Sequence, residues 1–392
     1  MQAQRRYHLD PLALDVDAQV VAHLTVQGRA GVVLDDSPFY PESGGQPGDQ
    51  GVLDGLAVTD VQAADDGRVV VLVGGAQLPT VGARVRGRVD AARRRQNMSL
   101  HTAQHMLSRA FLDRLGAETV SSRLSASAST IDLDVSSLDE AAALDAVQCV
   151  QRAVDEDRPV RQWFPEAAEL AGLPLRRRPK VEDNVRVVSI EGFDVSPCGG
   201  THCTHTAQVG PVTLLSIERY KGKMRVSFLS GAAALRELEA RARVAVSLGR
   251  RFSCGPFEAA AAVDKLQSDL AEARALATRF RAHWAERRAQ EALAASPDGR
   301  VRLALEEGGQ DELRALGAAI TAKPEALAML AAPSADGWRV LIARGAASGF
   351  DCGAFLKALA RETQGRGGGS PQRAEGVLPA GVEVLRCFRE AP

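Results

Sequence analysis

Hydrophobic positions change period several times along the chain, and the changes divide it. Residues 19–26 and 30–34 are β-branched runs parted by Gln27-Gly28-Arg29, the pattern of a hairpin. A second pair, near residues 58–61 and 68–73, is joined across Ala-Asp-Asp-Gly. Residues 1–92 therefore read as a β-rich domain. Between its two hairpins, the Pro- and Gly-rich stretch 36–49 excludes a regular element. Leu100, Ala103, Leu107, Ala110 and Phe111 then recur at helical spacing and predict an amphipathic helix over residues 99–115. Ile131, Leu133 and Val135 alternate with Thr130, Asp132 and Asp134, as in a half-buried strand. A helix over 137–155, a buried-type strand over 186–190 and a hairpin from 212–219 and 224–229 complete an α+β domain spanning 93–235.

From residue 236 to about 295 the chain is rich in Ala, Glu, Arg and Leu, and a helical connector is expected. Val263, Leu266, Leu270, Ala273, Ala277, Phe280 and Trp284 follow spacings of three and four, the seam of a coiled coil or the inner face of one long helix. Residues 253–256, Ser-Cys-Gly-Pro, should interrupt the helix first. The last unit, 296–392, reads as a small α/β domain with strands at 301–306, 338–343 and 382–388 and helices at 311–322 and 352–362. Its Gly-rich run 365–376 suits either a phosphate cradle or a flexible linker. The fold class is α+β.

Composition adds limits. The 392 residues are 45% hydrophobic, with 4% aromatics and a net charge of −1. With no apolar run long enough to span a bilayer and no signal-peptide core near the start, a cytoplasmic protein is expected. Six cysteines without disulfide rhythm fit a reducing compartment. A near-neutral chain can attract a polyanion only locally. Three arginine-rich clusters offer this, or are simply solvated faces: 84–95, then Arg176, Arg177, Arg178 and Lys180, then Arg219, Lys221, Lys223 and Arg225.

The chemistry concentrates in two short pieces. His101-Thr-Ala-Gln-His105 puts two imidazoles one turn apart on a helix face. Cys198-Gly-Gly-Thr-His202 supplies a thiolate and a third imidazole, with glycines that let the intervening backbone curl. The four side chains make a tetrahedral N/S shell of the kind zinc takes. Cys203 and His205 are near enough in sequence to substitute. A zinc peptidase is disfavoured, because the glutamate of His-Glu-x-x-His is absent from the interval Thr102-Ala103-Gln104.

Four runs carry a resemblance to a known family: Ser37-Pro-Phe-Tyr-Pro-Glu-Ser-Gly-Gly-Gln-Pro-Gly-Asp49, Asn97-Met-Ser-Leu-His-Thr-Ala-Gln-His-Met-Leu107, Thr130-Ile-Asp-Leu-Asp134 and Cys198-Gly-Gly-Thr-His202. In order and spacing the chain resembles the freestanding alanyl-tRNA editing proteins, relatives of the editing half of alanyl-tRNA synthetase. The family usually has threonine where Ser37 stands. The resemblance implies a zinc-dependent deacylase for tRNA(Ala) mischarged with serine or glycine, with His101, His105, Cys198 and His202 on the metal. It implies substrate contacts at Ser37, Gly44, Gly45, Gln46 and Asp132. Without an adenylation domain, the chain is not expected to charge tRNA. A homodimer through the coiled segment and the C-terminal domain is expected as well. The rival reading is an RNA-binding protein with a purely structural zinc.

Overall fold

A computed structural model describes residues 4–75, 77–179, 181 and 183–391. The chain packs as two compact units, Met1–Ser247 and Leu248–Pro392. The general α+β class is what the patterning indicates.

The first unit opens with a closed six-stranded barrel. Around it the strands run Asp15–Val26, Arg29–Leu34, Val69–Val73, Leu56–Ala63, Gly51–Leu53 and Arg84–Val89, closing where Asp15 pairs with Arg88. Closure removes the exposed edges a hairpin pair would leave. Val16, Ala18, Val20, Val32, Leu34, Val71 and Val85 fill its interior. Outward-facing Arg84 and Arg88 pair with Asp17 and Asp15 on the neighbouring strand, so this part of the first arginine cluster is a solvated face.

Asp90 caps the next helix by accepting from the amides of Ala92 and Arg93, and Gly116, in the left-handed region, ends it. This helix, Ala91–Leu115, starts eight residues earlier than its apolar period suggests, because its first two turns are polar. It is nearly all buried from Asn97 to Leu107. One face meets the four-stranded sheet of Val212–Tyr220, Lys223–Ser230, Ser129–Leu133 and Thr119–Arg123, and the helix Glu140–Asp155 packs against it. A further three-stranded sheet, Val160–Trp163, Val187–Ile190 and Asp194–Pro197, delivers the chain to Cys198. Of these three strands, the apolar pattern marks the central one alone.

Helix Gly231–Phe252 ends at Ser253, whose φ of 55° breaks it where the Ser-Cys-Gly-Pro run predicts. A single 36-residue helix follows, Ala259–Ala294. Its apolar seam is open within this chain: Leu266, Leu270 and Phe280 are 54, 48 and 67% exposed. The C-terminal sheet runs Arg300–Ala304, Leu327–Ser334, Gly337–Arg344, Arg373–Pro379 and Arg366–Gly369. Leu327, Met329 and Ala331 face one helical layer while Ala328, Leu330 and Ala332 face another, the period-two signature of a strand buried on both sides.

Two expectations fail here. Residues 382–388 are not a strand: Val384–Arg389 is a helix, because Val384 and Phe388, four apart, bury together against the sheet. The Gly-rich run is not a flexible linker: Arg366–Gly369 is an edge strand that turns back to pair with Arg373–Pro379. Gly367 and Gly376 are opposite each other, and a Cβ on either would crowd Leu356 Cδ2 at 3.0 and 3.3 Å. Glycine there lets the helix Cys352–Glu362 lie close on the hairpin. No helix among the described residues is long and apolar enough to cross a membrane.

Candidate metal centre

The barrel's loop 36–49 is tied to the histidine helix by one buried cation. Arg94, 1% exposed, pairs with Asp49 and donates to the carbonyls of Pro11 and Pro38 at 2.7 and 2.5 Å. Asp49 in turn accepts from the Tyr40 amide at 2.7 Å. Arg94 is thus a structural clamp, not a surface cation. Breaking such a buried pair costs about 3–5 kcal/mol, because the remaining charge is left without a partner.

Two turns further along the helix, His101 and His105 meet the loop 198–202. The ligand atoms of His101, His105, Cys198 and His202 all lie within 4.8 Å of one another. Cys198 Sγ stands 3.4 Å from His101 Nε2 and 3.3 Å from His202 Nε2. A tetrahedral zinc shell sets neighbouring sulfur and nitrogen ligands about 3.5 Å apart, so the spacing suits this ion. His105 Nε2 is buried with no hydrogen-bond partner among the described residues, an orphan that a metal would satisfy. Cys203 and His205 do not compete. Burial pushes the Cys203 thiol up to about 12 and keeps it protonated, and His205 is exposed.

Every histidine of the cluster turns Nδ1 away from it toward an oxygen. Gln46 Oε1 lies 2.8 Å from His101 Nδ1, Thr102 Oγ1 lies 3.2 Å from that of His202, and Asp194 Oδ2 lies 3.3 Å from that of His105. For His101 and His202 these partners fix the tautomer and leave Nε2 for the metal, while Asp194 faces His105 Nδ1 as an ion-pair partner. Each is itself held: Gln46 by Thr201, Thr102 by the amide of Cys203, and Asp194 by Arg176 and Ser196. Arg176 therefore belongs to the centre's support, while Lys180 of the same expected cluster lies outside the described residues.

Burial raises the Cys198 thiol, but His101, His202 and His105 outweigh it and hold the group well below the usual thiol range. Burial, reinforced by neighbouring imidazoles, depresses His202 and His101. Thiolate and neutral imidazole are the forms that bind metal. His105 is opposed by burial yet raised overall by Cys198 and Asp194. Gly200 must be glycine, since a Cβ there would overlap the His101 ring.

His101 and Cys198 open onto a cleft of about 980 Å³, which is also lined by Tyr40, Gly44, Gln104, Ser121 and Ser122. Of the expected substrate residues, Gly44 lines this cleft and Gln46 sits behind His101. The other three lie outside the lining and hold its walls. Gly45 packs on the Ser122 carbonyl, Asp132 accepts from the Ser121 hydroxyl at 2.5 Å, and Ser37 Oγ accepts from the Phe39 amide at 3.3 Å. Asp132 is also bound by Arg225, which holds its carboxyl below the usual range. Asp194 and Arg186 escape a reading of the sequence. Asp194 sits in an unremarkable Asp-Val-Ser-Pro strand, and its sole signal is that Asp194 and Ser196 share a strand face.

Comparison with known proteins places this arrangement. Residues 185–227 match the family model of the threonyl and alanyl tRNA synthetase second additional domain, and residues 6–93 match that of the class II (A) tRNA synthetases. The chain is 35% identical over 383 residues to the alanine–tRNA ligase of Pyrobaculum neutrophilum, covering 92% of this chain and 41% of the relative. It is 30% identical over 402 residues to that of Prochlorococcus marinus, covering 93 and 44%. It therefore spans about two-fifths of the length of these curated relatives. With both family matches and both relatives pointing the same way, the chain belongs among the relatives of alanyl-tRNA synthetase.

Proposed function

We propose that this protein hydrolyses the aminoacyl ester of tRNA(Ala) mischarged with serine or glycine, acting in trans, with zinc and without charging tRNA itself. The observation that carries the reading is a histidine-cysteine cluster with two of its four members, His101 and Cys198, opening onto a cleft. His101, His105, Cys198 and His202 would hold the ion. Bound there, zinc would supply a water of lowered pKa or an anchor for the substrate's amino group.

The chain's own residues do the rest. Gly44 brings backbone to the cleft, with a φ of 58° that glycine takes without strain. Gln46 couples the same loop to His101 and Thr201, so substrate loop and metal loop are positioned together. Ser37, Gly45 and Asp132 position the walls through Phe39, Ser122 and Ser121. A methylene or hydroxyl difference from alanine is discriminated poorly by binding alone, which is why a separate hydrolytic site serves fidelity. We assign the protein to the cytoplasm and infer a homodimer through the exposed seam of Ala259–Ala294.

The test is a deacylation assay with seryl-, glycyl- and alanyl-tRNA carrying the alanine acceptor stem. Seryl- and glycyl-tRNA should be cleaved and alanyl-tRNA spared. Equal turnover of all three would overturn the editing reading. One observation favours a rival: four protein ligands make a closed shell, as in structural zinc sites. Chelation separates the two, since a structural zinc would unfold the domain on removal, whereas loss of hydrolysis with the fold retained supports the deacylase.

A further inference from the structure

The cleft carries two features that the metal cluster does not use. The first is aromatic. Phe164 lines the cleft yet is 47% exposed, and its ring meets His8 edge to face at 5.8 Å. His8 is backed by Tyr7 at 4.6 Å, and its Nε2 donates to the Gly199 carbonyl at 3.0 Å. Burial and the nearby Arg186 bring His8 down to about 4, so this ring is neutral and free to stack. The ledge thus begins one residue from Cys198.

The second feature is charge. Among the described residues, four arginines, Arg5, Arg177, Arg178 and Arg186, line the cleft against one acid, Asp183, in a chain whose net charge is −1. None of the four pairs with a carboxylate among the described residues. Arg186 is 4% exposed. It donates to the carbonyls of Cys198 and Gly200 at 3.0 and 2.7 Å and to Gln162, holding the metal loop, while its Nε is left without a partner. Arg177 and Arg178 are exposed at the rim. Arg177 donates to the Pro197 carbonyl at 3.2 Å. A rim of guanidinium groups without a carboxylate partner among the described residues, beside an open aromatic face, is complementary to a nucleotide: a base for the ring, a phosphate for the arginines.

We propose that this wall binds the terminal nucleoside of the substrate's 3′ end, with the base stacked on Phe164 beside His8 and the phosphate on its 5′ side against Arg177 and Arg178. The inference rests on the deacylase reading and extends it to the nucleotide. An aminoacyl nucleotide has the matching order of parts: phosphate, base and sugar along the wall, then the ester over His101 and Cys198. Arg186 positions the loop on which that ester rests. Stacking is indifferent to base identity, so the ledge sets the register of the strand end and leaves amino-acid choice to the metal side.

The test uses the full-length, zinc-loaded protein and a non-hydrolysable amide analogue, 3′-serylamino-3′-deoxyadenosine 5′-phosphate. Two controls accompany it, one lacking the base and one lacking the phosphate. Phe164→Leu should weaken the full analogue by about tenfold, the order that one stacked base contributes. Phe164→Trp should restore it to within about twofold, and the base-free control should bind the wild type and Phe164→Leu alike. Arg177→Gln with Arg178→Gln should weaken the phosphorylated analogue and flatten its salt dependence, leaving the phosphate-free one unchanged. Zinc content should stay constant throughout. Phe164→Leu that binds the full analogue as the wild type does, or loses the base-free control equally, would overturn the ledge and leave the deacylase reading standing. A wild type that binds none of the analogues and cleaves no charged tRNA would overturn both.

Discussion

The two units of this molecule have different kinds of interior. Among the described residues, every buried polar or charged side chain lies between Ser37 and Ser230, in the first unit. The second unit buries Leu, Ala, Val, Met and Phe, and keeps its ion pairs, such as Arg314–Glu375 and Arg281–Glu312, toward solvent. Burying a polar group costs free energy unless its partners are supplied. The first unit supplies them in chains: Arg94 to Asp49, Gln46 to His101 and Thr201, Arg176 to Asp194 to His105. The second unit folds without such a network, whereas in the first it ties the loop 36–49 and the histidine-cysteine cluster to their surroundings.

The contrast can be tested from its strongest element outward. Cys198→Ala removes the sole thiolate from a cluster whose other members are imidazoles. Bound zinc should fall from about one per chain to near zero. Metal analysis giving full occupancy would break the assignment of the centre. Arg94→Met should destabilise the first unit by about 3–5 kcal/mol, because Asp49 is left as a lone buried carboxylate. Urea unfolding followed by signals from each unit would register it. A loss under 1 kcal/mol would mean that the clamp is dispensable.

Asp194→Asn sharpens the comparison further. It withdraws the charge behind His105 while all four ligands remain, and zinc affinity should drop about 10–100-fold. Competition with a calibrated chelator measures this, and unchanged affinity would reduce Asp194 to a partner of Arg176 alone. The smallest stability effect belongs to the second unit. Phe280→Glu, at a site 67% exposed, should shift unfolding by less than about 0.5 kcal/mol. Light scattering should nevertheless show a dimer becoming a monomer. An unaltered assembly state would remove this helix face from the interface.

Legibility differed between the same regions. The hairpins of the barrel, the histidine helix and the helix Cys352–Glu362 can be read from periodicity, because each buries one face of a regular element and burial writes its period into the sequence. The strand Asp194–Pro197 and the edge strand Arg366–Gly369 cannot. One is four residues long with mixed polarity, and the other is mostly glycine, so neither carries an apolar alternation. Residues 382–388 misled for a related reason: Val-Glu-Val imitates a strand, while the pair that decides the matter, Val384 and Phe388, is a helical one.

For the site, the sequence by itself picked out the four side chains that the fold brings together, since residue type and spacing limit which side chains offer soft and borderline donors one turn or one tight loop apart. It also marked the glycine loop that Gln46 anchors. Tertiary structure alone decided which arginines are structural and which face the cleft. Arg94 and Arg176 are interior while Arg177 and Arg178 line the rim, although all four sit in similar basic runs. It likewise joined Gln46, Thr102 and Asp194 to the three histidines, and His8 to Phe164, across separations of up to 156 residues. A side chain's period reports burial, but its partner is set by which strands and loops are brought together, and local spacing holds no record of that.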